Sequence, residues 1–297
     1  MKKDLIFSGS GVAIVTPMLE NGAIDYDKLG LLIDLQIRGG TDAIVICGTT
    51  GESSTMTDEE HVDCIKAAVK YTAGRVPVIA GAGSNDTQYA IWMSKEAEAA
   101  GADALLQVTP YYNKCTQKGL VAHFTAIADA TPLPIILYNV PSRTGMTIQP
   151  ATYAELAKHP RIVATKEASG DISAIAKTAR LCGDSLAIYS GNDDQIVPIM
   201  SLGGKGVISV LANVAPKETH DIAALYLAGE TQKSLELQLR LLPLCDALFC
   251  EVNPIPVKEA MNLLGFGCGG CRLPLTPMED ANRQKLANEL RKAGLLA

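Results

Sequence analysis

The sequence predicts an α/β fold, a closed (β/α)8 or TIM barrel followed by three further helices. Short apolar runs alternate eight times with longer amphipathic segments in the first 230 or so of 297 residues. The loops after these runs lack the glycine-rich patterns of an open nucleotide-binding sheet. Beyond residue 230, helical patterns follow one another without strand-like runs. We therefore expect a catalytic barrel over residues 1–230 and a C-terminal helical subdomain over residues 231–297.

Eight apolar runs are the predicted strands. Their nearly continuous apolar sequence is typical of parallel strands that are buried on both faces. The predicted strands cover residues 11–16, 42–47, 76–81, 103–108, 134–139, 161–166, 185–190 and 205–210. The amphipathic segments that follow them are the predicted helices, at residues 25–39, 57–72, 85–100, 117–130, 149–158, 171–182, 193–203 and 216–229.

An open, doubly wound sheet is the main alternative to the barrel. Such a sheet would be expected to carry a glycine-rich nucleotide loop after an early strand. Residues 9–14 (GSGVAI) and 81–86 (GAGSND) both lack the third glycine of GxGxxG, and the chain has no GxxxxGKS or GxxxxGKT pattern. These glycines are more simply parts of tight turns, so the closed barrel is favoured.

The composition argues against nucleic-acid and membrane partners. The formal net charge is −6, from 26 basic and 32 acidic residues, and no basic block is interleaved with aromatic residues. No apolar run approaches the ~20 residues of a membrane-spanning helix. The N-terminal sequence also lacks the apolar core of a secretion signal. We expect a cytoplasmic protein.

Neither the cysteines nor the histidines predict a metal site. The eight cysteines are scattered, as is typical of reduced thiols in a cytosolic enzyme. Cys268 and Cys271 form a single CxxC without the other ligands of a zinc site. The four histidines fall in helical segments or at their ends, and we interpret them as surface or interface residues. HExxH and GxSxG patterns are absent.

Lys166 is the strongest catalytic candidate. It ends an apolar run, so its amine is expected to lie buried at the end of a strand. Burial disfavours an ammonium ion, and a neutral amine can attack a carbonyl to form a Schiff base. The preceding strand ends in Tyr138 and is followed closely by Arg143. A tyrosine and an arginine beside a nucleophilic lysine indicate carbonyl chemistry on a substrate that carries a carboxylate.

Polar groups also follow several other predicted strands. They occur in residues 47–53 (CGTTGES), 109–114 (TPYYNK) and 190–194 (SGNDD). The carboxyl ends of all strands meet at one face of such a barrel, where its active sites form. Core packing alone would not require this convergence, which therefore favours a functional site.

Each candidate has a purely structural alternative. Lys166 would be structural if it paired with a buried carboxylate, and Tyr138 if its hydroxyl were satisfied in the core. Arg143 would be unimportant if it were simply solvated. Thr49 and Thr50 would only cap the next helix, and Tyr111 and Tyr112 would only form an oligomer interface.

Seven motifs resemble the dihydrodipicolinate synthase family of pyruvate-dependent class I aldolases. They occur in family order and at family spacing, from about residue 5 to the C-terminus. The motifs are GTTGES (48–53), TPYYNK (109–114), YNVPSRTG (138–145), TKEASG (165–170), SGND (190–193), NPIPVK (253–258) and LPLTP (273–277). The resemblance implies a lyase of the diaminopimelate route to lysine, which condenses pyruvate with L-aspartate 4-semialdehyde to 4-hydroxy-tetrahydrodipicolinate.

The resemblance implies roles for eight residues. Lys166 forms the Schiff base with pyruvate, and Arg143 binds the carboxylate of the second substrate. The others serve proton transfer (Tyr138, Thr49 and Tyr112, the last in the neighbouring subunit's site) or hold pyruvate (Thr50 and the backbone at Gly191 and Ile208). The family also implies a homotetramer built as a dimer of dimers. No cofactor is implied, because the lysine iminium itself withdraws electrons.

The resemblance further implies an effector site for lysine, and five of its residues match: Ser53, Ser54, His61, Asn85 and Tyr111. Two positions differ. Asp58 stands where lysine-sensitive members often have histidine, and Tyr89 stands where they often have glutamate. Loss of the glutamate weakens recognition of an ammonium group, so we expect weak or absent inhibition by lysine.

Three other functions compete with this one. The nearest is a pyruvate-dependent aldolase that acts on a 2-keto acid sugar, and Arg143 in its SRTG context argues against it. A pyridoxal phosphate enzyme would need a phosphate loop, which the sequence does not show. A catalytically inactive keto-acid sensor would be expected to lose Lys166 or a relay hydroxyl, and all are present.

Overall fold

The computed structural model describes residues 3–297 and contains a closed barrel of eight parallel strands in chain order. The strands are β1 (Gly9–Ala13), β2 (Ala43–Ile46), β3 (Val78–Gly81), β4 (Ala104–Val108), β5 (Ile135–Asn139), β6 (Ile162–Glu167), β7 (Ala187–Ser190) and β8 (Gly206–Ser209). Pairing of β1 with β8 closes the barrel. The prediction of a (β/α)8 barrel is therefore confirmed. The first strand begins two residues earlier than the predicted run and ends three residues earlier.

Helices follow the strands in the expected alternation, except that an extra short helix comes directly after β5. They are α1 (Tyr26–Arg38), α2 (Asp58–Thr72), α3 (Thr87–Ala99), α4 (Gln117–Asp129), α5 (Pro141–Thr144), α6 (Pro150–Leu156), α7 (Ile172–Cys182), α8 (Ile196–Ser201) and α9 (Pro216–Leu227). The short helix α5 was not predicted, because proline at its first position reads equally well as a loop. It carries Arg143.

The start of α2 shows how local sequence sets these boundaries. The Thr57 hydroxyl accepts a hydrogen bond from the Glu60 N–H, and the Glu60 carboxylate accepts one from the Thr57 N–H. This reciprocal capping box satisfies two backbone donors that the helix itself leaves free. It fixes the helix start after the GTTGES loop, which lies at the carboxyl end of β2.

Three helices follow the barrel: α10 (Thr231–Leu248), α11 (Ile255–Leu263) and α12 (Asp280–Lys292). Helix α10 packs on α9, and α12 packs on α10 and α11. This confirms the C-terminal addition of three helices. The boundary at residue 230 lies between α9 and α10 and stays a prediction as a domain boundary. Among the residues described, no helix combines the length and apolar character that crossing a membrane requires.

Two apolar layers hold the barrel together. One lies between the strands and the surrounding helices, and the other fills the barrel interior. At one point of the interior layer, the Phe7 ring stacks on Tyr189 with centroids 4.3 Å apart. Because side chains alternate along a strand, Ile136 and Tyr138 of β5 face inward while Leu137 faces the helices. That alternation decides which side chains reach the carboxyl end of the barrel.

Candidate active site

Tyr138 and Lys166 lie side by side at the carboxyl ends of β5 and β6. The strand register pairs these two residues directly. The Lys166 amine lies over the Tyr138 ring, with Nζ 4.4 Å from the ring centroid. Lys166 is only 6% exposed and Tyr138 only 7%. The sequence prediction of a buried lysine beside a tyrosine at two strand ends is thus reproduced in the geometry.

The Lys166 amine has no structural ion pair. Within residues 3–297, no carboxylate lies within salt-bridge distance of its Nζ, and the ring of Tyr138 is its close neighbour. The Tyr138 hydroxyl likewise forms no hydrogen bond to any residue of the described chain. Both purely structural alternatives for these residues are therefore unsupported, because neither polar group is satisfied by the protein itself.

Asp193 is a buried carboxylate that the sequence analysis left without a role. It follows β7 and is 3% exposed, and its Oδ2 accepts hydrogen bonds from the N–H groups of Val210 and Leu211. Burial raises the pKa of Asp193, while its hydrogen bonds and the charge of Lys166 act in the opposite direction. The SGND motif quoted above contains this residue.

The loop after β2 brings Thr49 and Thr50 to the same end of the barrel. Thr50 is buried, and its Oγ1 accepts a hydrogen bond of 3.0 Å from the Asn253 side chain. Thr49 is partly buried and lines a cavity. Neither residue caps α2, whose cap is Thr57. The helix-capping alternative for these two threonines is therefore wrong.

The Arg143 guanidinium lies at the same end of the barrel, on α5. The residue is exposed, but its Nη2 donates a hydrogen bond of 3.1 Å to the Asn253 carbonyl oxygen. Arg143 also lines the cavity that Thr49 and Tyr138 line. It is therefore held at the site rather than simply solvated.

Gly191 packs against the strand that carries Lys166. Its N–H donates to the Glu167 carbonyl oxygen at 2.8 Å. A Cβ at position 191 would come within 2.7 Å of the Ala168 Cβ and 3.1 Å of the Lys166 Cγ. Only glycine allows this close approach. Ile208, the other predicted pyruvate contact, lies in β8, fully buried and paired with Gly11.

Tyr111 and Tyr112 follow β4. Tyr111 is 40% exposed and lines the cavity, whereas Tyr112 is 92% exposed and has a positive φ of 66°. A left-handed backbone is costly for tyrosine and persists only where the surroundings fix it. Within this chain Tyr112 is not among the residues lining the cavity. Its side chain projects away from the protomer.

One cavity of about 550 Å³ is lined by part of the candidate catalytic group and part of the candidate effector group, although Lys166 and Thr50 are not in its lining. Its lining includes Thr49, Tyr138 and Arg143 from the first group and Ser53, Ser54, His61 and Tyr111 from the second. Asn85 lies next to the cavity, because its side-chain amide donates to the Tyr111 carbonyl oxygen at 3.1 Å. The two predicted sites are therefore adjacent within one protomer.

The interpretation of the histidines as surface or interface residues is wrong for two of them, which are buried within the protomer. His61 is 8% exposed and His123 is 6% exposed. The His61 Nε2 lies 2.7 Å from the Gly81 carbonyl oxygen and must donate there, since a carbonyl only accepts. Burial lowers the pKa of His61 below its usual value. His61 therefore lines the cavity as a neutral group.

Asp58 and Tyr89 contact each other at the second group of residues. The Tyr89 hydroxyl donates to Asp58 Oδ1 at 2.6 Å. Burial and then this carboxylate raise the pKa of Tyr89. Asp58 and Tyr89, the two positions at which the predicted effector site departs from the expected pattern, thus form a hydrogen-bonded pair.

The cysteines are free thiols, including Cys268, which is buried, and Cys271, which is partly buried. Burial raises the pKa of both thiols, to about 11 and about 12. Cys47 lines the cavity, and burial raises its pKa well above the usual range as well. A thiol with so little thiolate is a poor nucleophile. Across residues 3–297, no group of three or more His, Cys, Asp or Glu side chains is arranged to hold a metal ion.

Sequence reasoning missed Asn253, which contacts both Thr50 and Arg143. Its motif NPIPVK was noted, but the sequence does not predict that a residue so far along the chain contacts the barrel loops. Glu167 and Asn139 were also missed. They follow Lys166 and Tyr138 and face outward, where the Asn139 amide donates to both Glu167 carboxylate oxygens at 3.0 and 3.2 Å. The alternation of strand side chains would have predicted this second pair.

A buried lysine without an ion-pair partner among the described residues, at the carboxyl end of a closed (β/α)8 barrel with a tyrosine against it and an arginine at the rim, is the arrangement expected of a Schiff-base-forming lyase. Comparison with known proteins agrees. The sequence profile of the Dihydrodipicolinate synthetase family matches residues 6–293. The chain belongs to this family.

Individual relatives are similar over almost their whole length. The 4-hydroxy-tetrahydrodipicolinate synthase of Lachnoclostridium phytofermentans is 62% identical over 292 residues, which cover 98% of this chain and 99% of that protein. The chloride-inhibited dihydrodipicolinate synthase of Acinetobacter baumannii, solved with pyruvate, is 46% identical with a TM-score of 0.96, covering 97% and 99% of the two chains. The lysine-bound enzyme of Cyanidioschyzon merolae is 41% identical with a TM-score of 0.96, covering 99% and 100%.

Proposed function

We propose that this protein condenses pyruvate with L-aspartate 4-semialdehyde to 4-hydroxy-tetrahydrodipicolinate, through a Schiff base on Lys166. One observation carries the proposal: the buried Lys166 amine lies over the Tyr138 ring without a carboxylate partner among the described residues. The names of the relatives and the pyruvate in the Acinetobacter baumannii structure support the choice of reaction and of first substrate.

The chemistry proceeds through an iminium ion. The Lys166 amine attacks the keto carbon of pyruvate, and loss of water gives the iminium. The iminium withdraws electrons, so the pyruvate methyl group loses a proton and the resulting enamine carbon attacks the aldehyde of the second substrate. The amino group of that substrate then replaces Lys166 at the former keto carbon, which closes the ring and frees the lysine. The nearby Asp193 carboxylate favours the cationic intermediates.

Each of these steps moves a proton, and hydroxyl groups are the available carriers. Tyr138 and Thr49 line the same cavity and are proposed to relay protons together with Tyr112. Tyr112 is 92% exposed on its own protomer, which fits a side chain that completes the site of a neighbouring subunit. We therefore propose a homotetramer, a dimer of dimers, with Tyr112 shared across one interface.

The two substrates are held by different groups. Thr50 and the backbone at Gly191 and Ile208 are proposed to hold pyruvate next to Lys166. Arg143, at the rim of the cavity, is proposed to bind the carboxylate of aspartate semialdehyde with two parallel hydrogen bonds. Lysine at this position would be a poor substitute, because it lacks the planar fork of donors.

Borohydride reduction in the presence of pyruvate tests the proposal. We expect a stable adduct on the Lys166 peptide alone, located by mass mapping. Among the described residues the other deeply buried lysine is Lys258, which provides an internal control because its amine is ion-paired. Attachment to another residue, or faster turnover of 2-keto acid sugars than of aspartate semialdehyde, would overturn it.

We also propose that lysine inhibits this enzyme weakly or not at all. The Cyanidioschyzon merolae relative was solved with lysine bound. Here the carboxylate at the proposed effector site is that of Asp58, which already accepts the Tyr89 hydroxyl. We expect more than half of the activity to remain at millimolar lysine, and Tyr89→Glu to increase the sensitivity. Half-inhibition of the unaltered enzyme by millimolar lysine would contradict the proposal.

The same proposal places the enzyme in the cytoplasm, where lysine biosynthesis takes place. It also treats residues 231–297 as a subdomain that supports the barrel, since Asn253 contacts Thr50 and Arg143.

A further inference from the structure

Asn253 connects the C-terminal helices to the carboxyl end of the barrel. It lies between α10 and α11, next to a cis peptide bond to Pro254, and is 6% exposed. Its side-chain Nδ2 lies 3.0 Å from the Thr50 Oγ1, and its carbonyl oxygen accepts a hydrogen bond of 3.1 Å from Arg143. One residue therefore contacts both Thr50, which is proposed to hold pyruvate, and Arg143, which is proposed to bind the carboxylate of aspartate semialdehyde.

The direction of the bond between Asn253 and Thr50 has a chemical consequence. A hydroxyl has one hydrogen to donate and lone pairs that accept. When Thr50 Oγ1 accepts from the Asn253 amide, its own hydrogen stays available for another acceptor. A carboxylate is such an acceptor, and the resulting charge-assisted bond is stronger than a neutral one.

The surroundings of the amide support this direction. In this orientation the Asn253 Oδ1 is buried without a hydrogen-bond partner among the described residues. In the opposite orientation, an NH₂ group would take that place and leave two donors buried without partners. Orphaned buried donors are rarer than under-satisfied oxygens. The orientation with Nδ2 toward Thr50 is therefore the better one.

We propose that Asn253 is a positioning residue that sets the Thr50 hydroxyl as a donor to the carboxylate of the keto-acid substrate. This inference rests on the proposed function, in which Thr50 holds pyruvate. The side chain acts on the first substrate. The backbone carbonyl oxygen of Asn253 accepts from Arg143, which is proposed to bind the second substrate. Replacing the Asn253 side chain is therefore expected to affect pyruvate binding more than binding of aspartate semialdehyde.

Steady-state kinetics of Asn253→Ala and Asn253→Asp test the role. Loss of the amide donor in the alanine variant is expected to raise KM for pyruvate about fivefold, the effect of one hydrogen bond. Aspartate accepts and does not donate, so it takes the Thr50 hydrogen and also repels the substrate carboxylate. We expect its KM for pyruvate to rise at least about twentyfold. KM for aspartate semialdehyde is expected to change by less than about twofold in the alanine variant. Arg143 donates to the backbone carbonyl oxygen of residue 253, which the substitution keeps.

Asn262→Asp is the matched control. Asn262 belongs to the same subdomain, and its side chain bonds to Gly269 and Cys268 rather than to the barrel. It is expected to leave KM for pyruvate unchanged. A purely structural role for Asn253 predicts the other order, with alanine at least as harmful as the isosteric aspartate and with both substrates affected. The inference would be overturned if the alanine variant had the larger KM for pyruvate, or if KM rose equally for both substrates.

A double-mutant cycle covers the case in which the aspartate variant folds poorly. In a Thr50→Val background, Asn253→Ala is expected to raise KM for pyruvate by less than about twofold, because the hydroxyl that it orients is gone. Additive effects would refute the inference. Borohydride trapping of the unaltered enzyme distinguishes failure of the proposed function from failure of the role of Asn253. Absence of an adduct on Lys166 would refute the proposed function. An adduct on Lys166 together with additive effects in the cycle would refute only the role of Asn253.

Discussion

Two deeply buried lysines of this protein have opposite surroundings. Lys258 is 1% exposed, and its amine lies 2.8 Å from the Glu52 carboxylate and also donates to the Gly270 carbonyl oxygen. Lys166 is 6% exposed, and its Nζ lies over the Tyr138 ring. Sequence position alone does not separate them, since each lies in an otherwise apolar segment.

The difference shows how burial can serve either stability or chemistry. The Lys258 ammonium is compensated by a charge and by hydrogen bonds, so it is fixed in place and joins the C-terminal helices to the GTTGES loop. The Lys166 amine has no ion pair or hydrogen bond among the described residues, and Asp193 interacts with it only beyond salt-bridge distance, which fits its proposed role as a nucleophile. Functional sites commonly contain groups, such as a buried amine without an ion pair, that lower the stability of the folded protein.

The largest expected effect is that of Lys166→Met on activity. We expect kcat to fall by at least about 10³-fold, because no other group in the site can form the Schiff base. The free energy of unfolding is expected to stay unchanged or to rise, since an incompletely compensated amine is replaced by an apolar side chain of similar length. Pyruvate-dependent turnover and denaturant unfolding, at equal protein concentration, measure the two effects.

A variant that retained normal turnover would remove Lys166 from the mechanism. A variant that lost several kcal/mol of stability would instead show that Lys166, like Lys258, is structural, and the comparison would fail.

Lys258→Met is expected to have the reverse effect. It leaves the Glu52 carboxylate buried without its ion-pair partner, which typically costs about 3–5 kcal/mol. Glu52 also accepts the Arg272 N–H and lies in the loop that carries Thr49 and Thr50. Denaturant unfolding measures the loss. Borohydride trapping on Lys166 is expected to persist wherever the variant is folded.

The double variant Glu52→Gln with Lys258→Met sharpens this test. The introduced glutamine would keep an acceptor for the Arg272 N–H but carry no charge. We therefore expect the double variant to recover about 1–2 kcal/mol relative to Lys258→Met alone. If the double variant were less stable than the single one, the unpaired carboxylate would not be the source of the loss.

Most of the fold was predictable because its signals are local. Each strand is a short apolar run, and each helix has its own period and caps, as Thr57 and Glu60 show at the start of α2. Lys166, Tyr138 and Arg143 were found because strand ends converge in a barrel. The number of alternating units then indicated the closed topology.

Contacts between distant segments were not predictable in this way. The bond from Asn253 to Thr50 joins residues 203 positions apart, and the ion pair of Glu52 and Lys258 spans 206. No periodicity reports such contacts. The burial of His123 is different, because Leu120 and Ile127 are buried on the same helix, three positions before it and four after it. That helical spacing predicts a buried face, and the interpretation of His123 as a surface residue overlooked it.

His123 extends the comparison to a third buried base. Its Nδ1 pairs with the Thr87 hydroxyl at 2.9 Å, while its buried Nε2 has no partner among the residues described. Burial lowers the pKa of His123 to about 4, and the charge of Asp86 opposes this only partly. Like the Lys166 Nζ, the His123 Nε2 has no hydrogen-bond or ion-pair partner among the described residues.

The expected effect is a loss of stability at mildly acidic pH. Above the unfolded-state value of about 6.5, His123 is neutral in both states and its contribution does not change with pH. As the pH falls toward 4, His123 becomes protonated in the unfolded chain while it stays neutral in the folded protein. The free energy of unfolding therefore decreases. Between pH 7 and pH 5 this amounts to about 2 kcal/mol.

His123→Gln is expected to remove that part of the pH dependence. Glutamine can still bond to Thr87 but does not titrate in this range, so the difference in unfolding free energy between pH 7 and pH 5 narrows. His159→Gln, at a partly buried position on the outside of the barrel, controls for the substitution itself. The same narrowing in both variants would mean that burial of His123 is not the cause. If the difference in unfolding free energy between pH 7 and pH 5 narrowed in neither variant, the folded protein would bind the His123 proton as readily as the unfolded chain does.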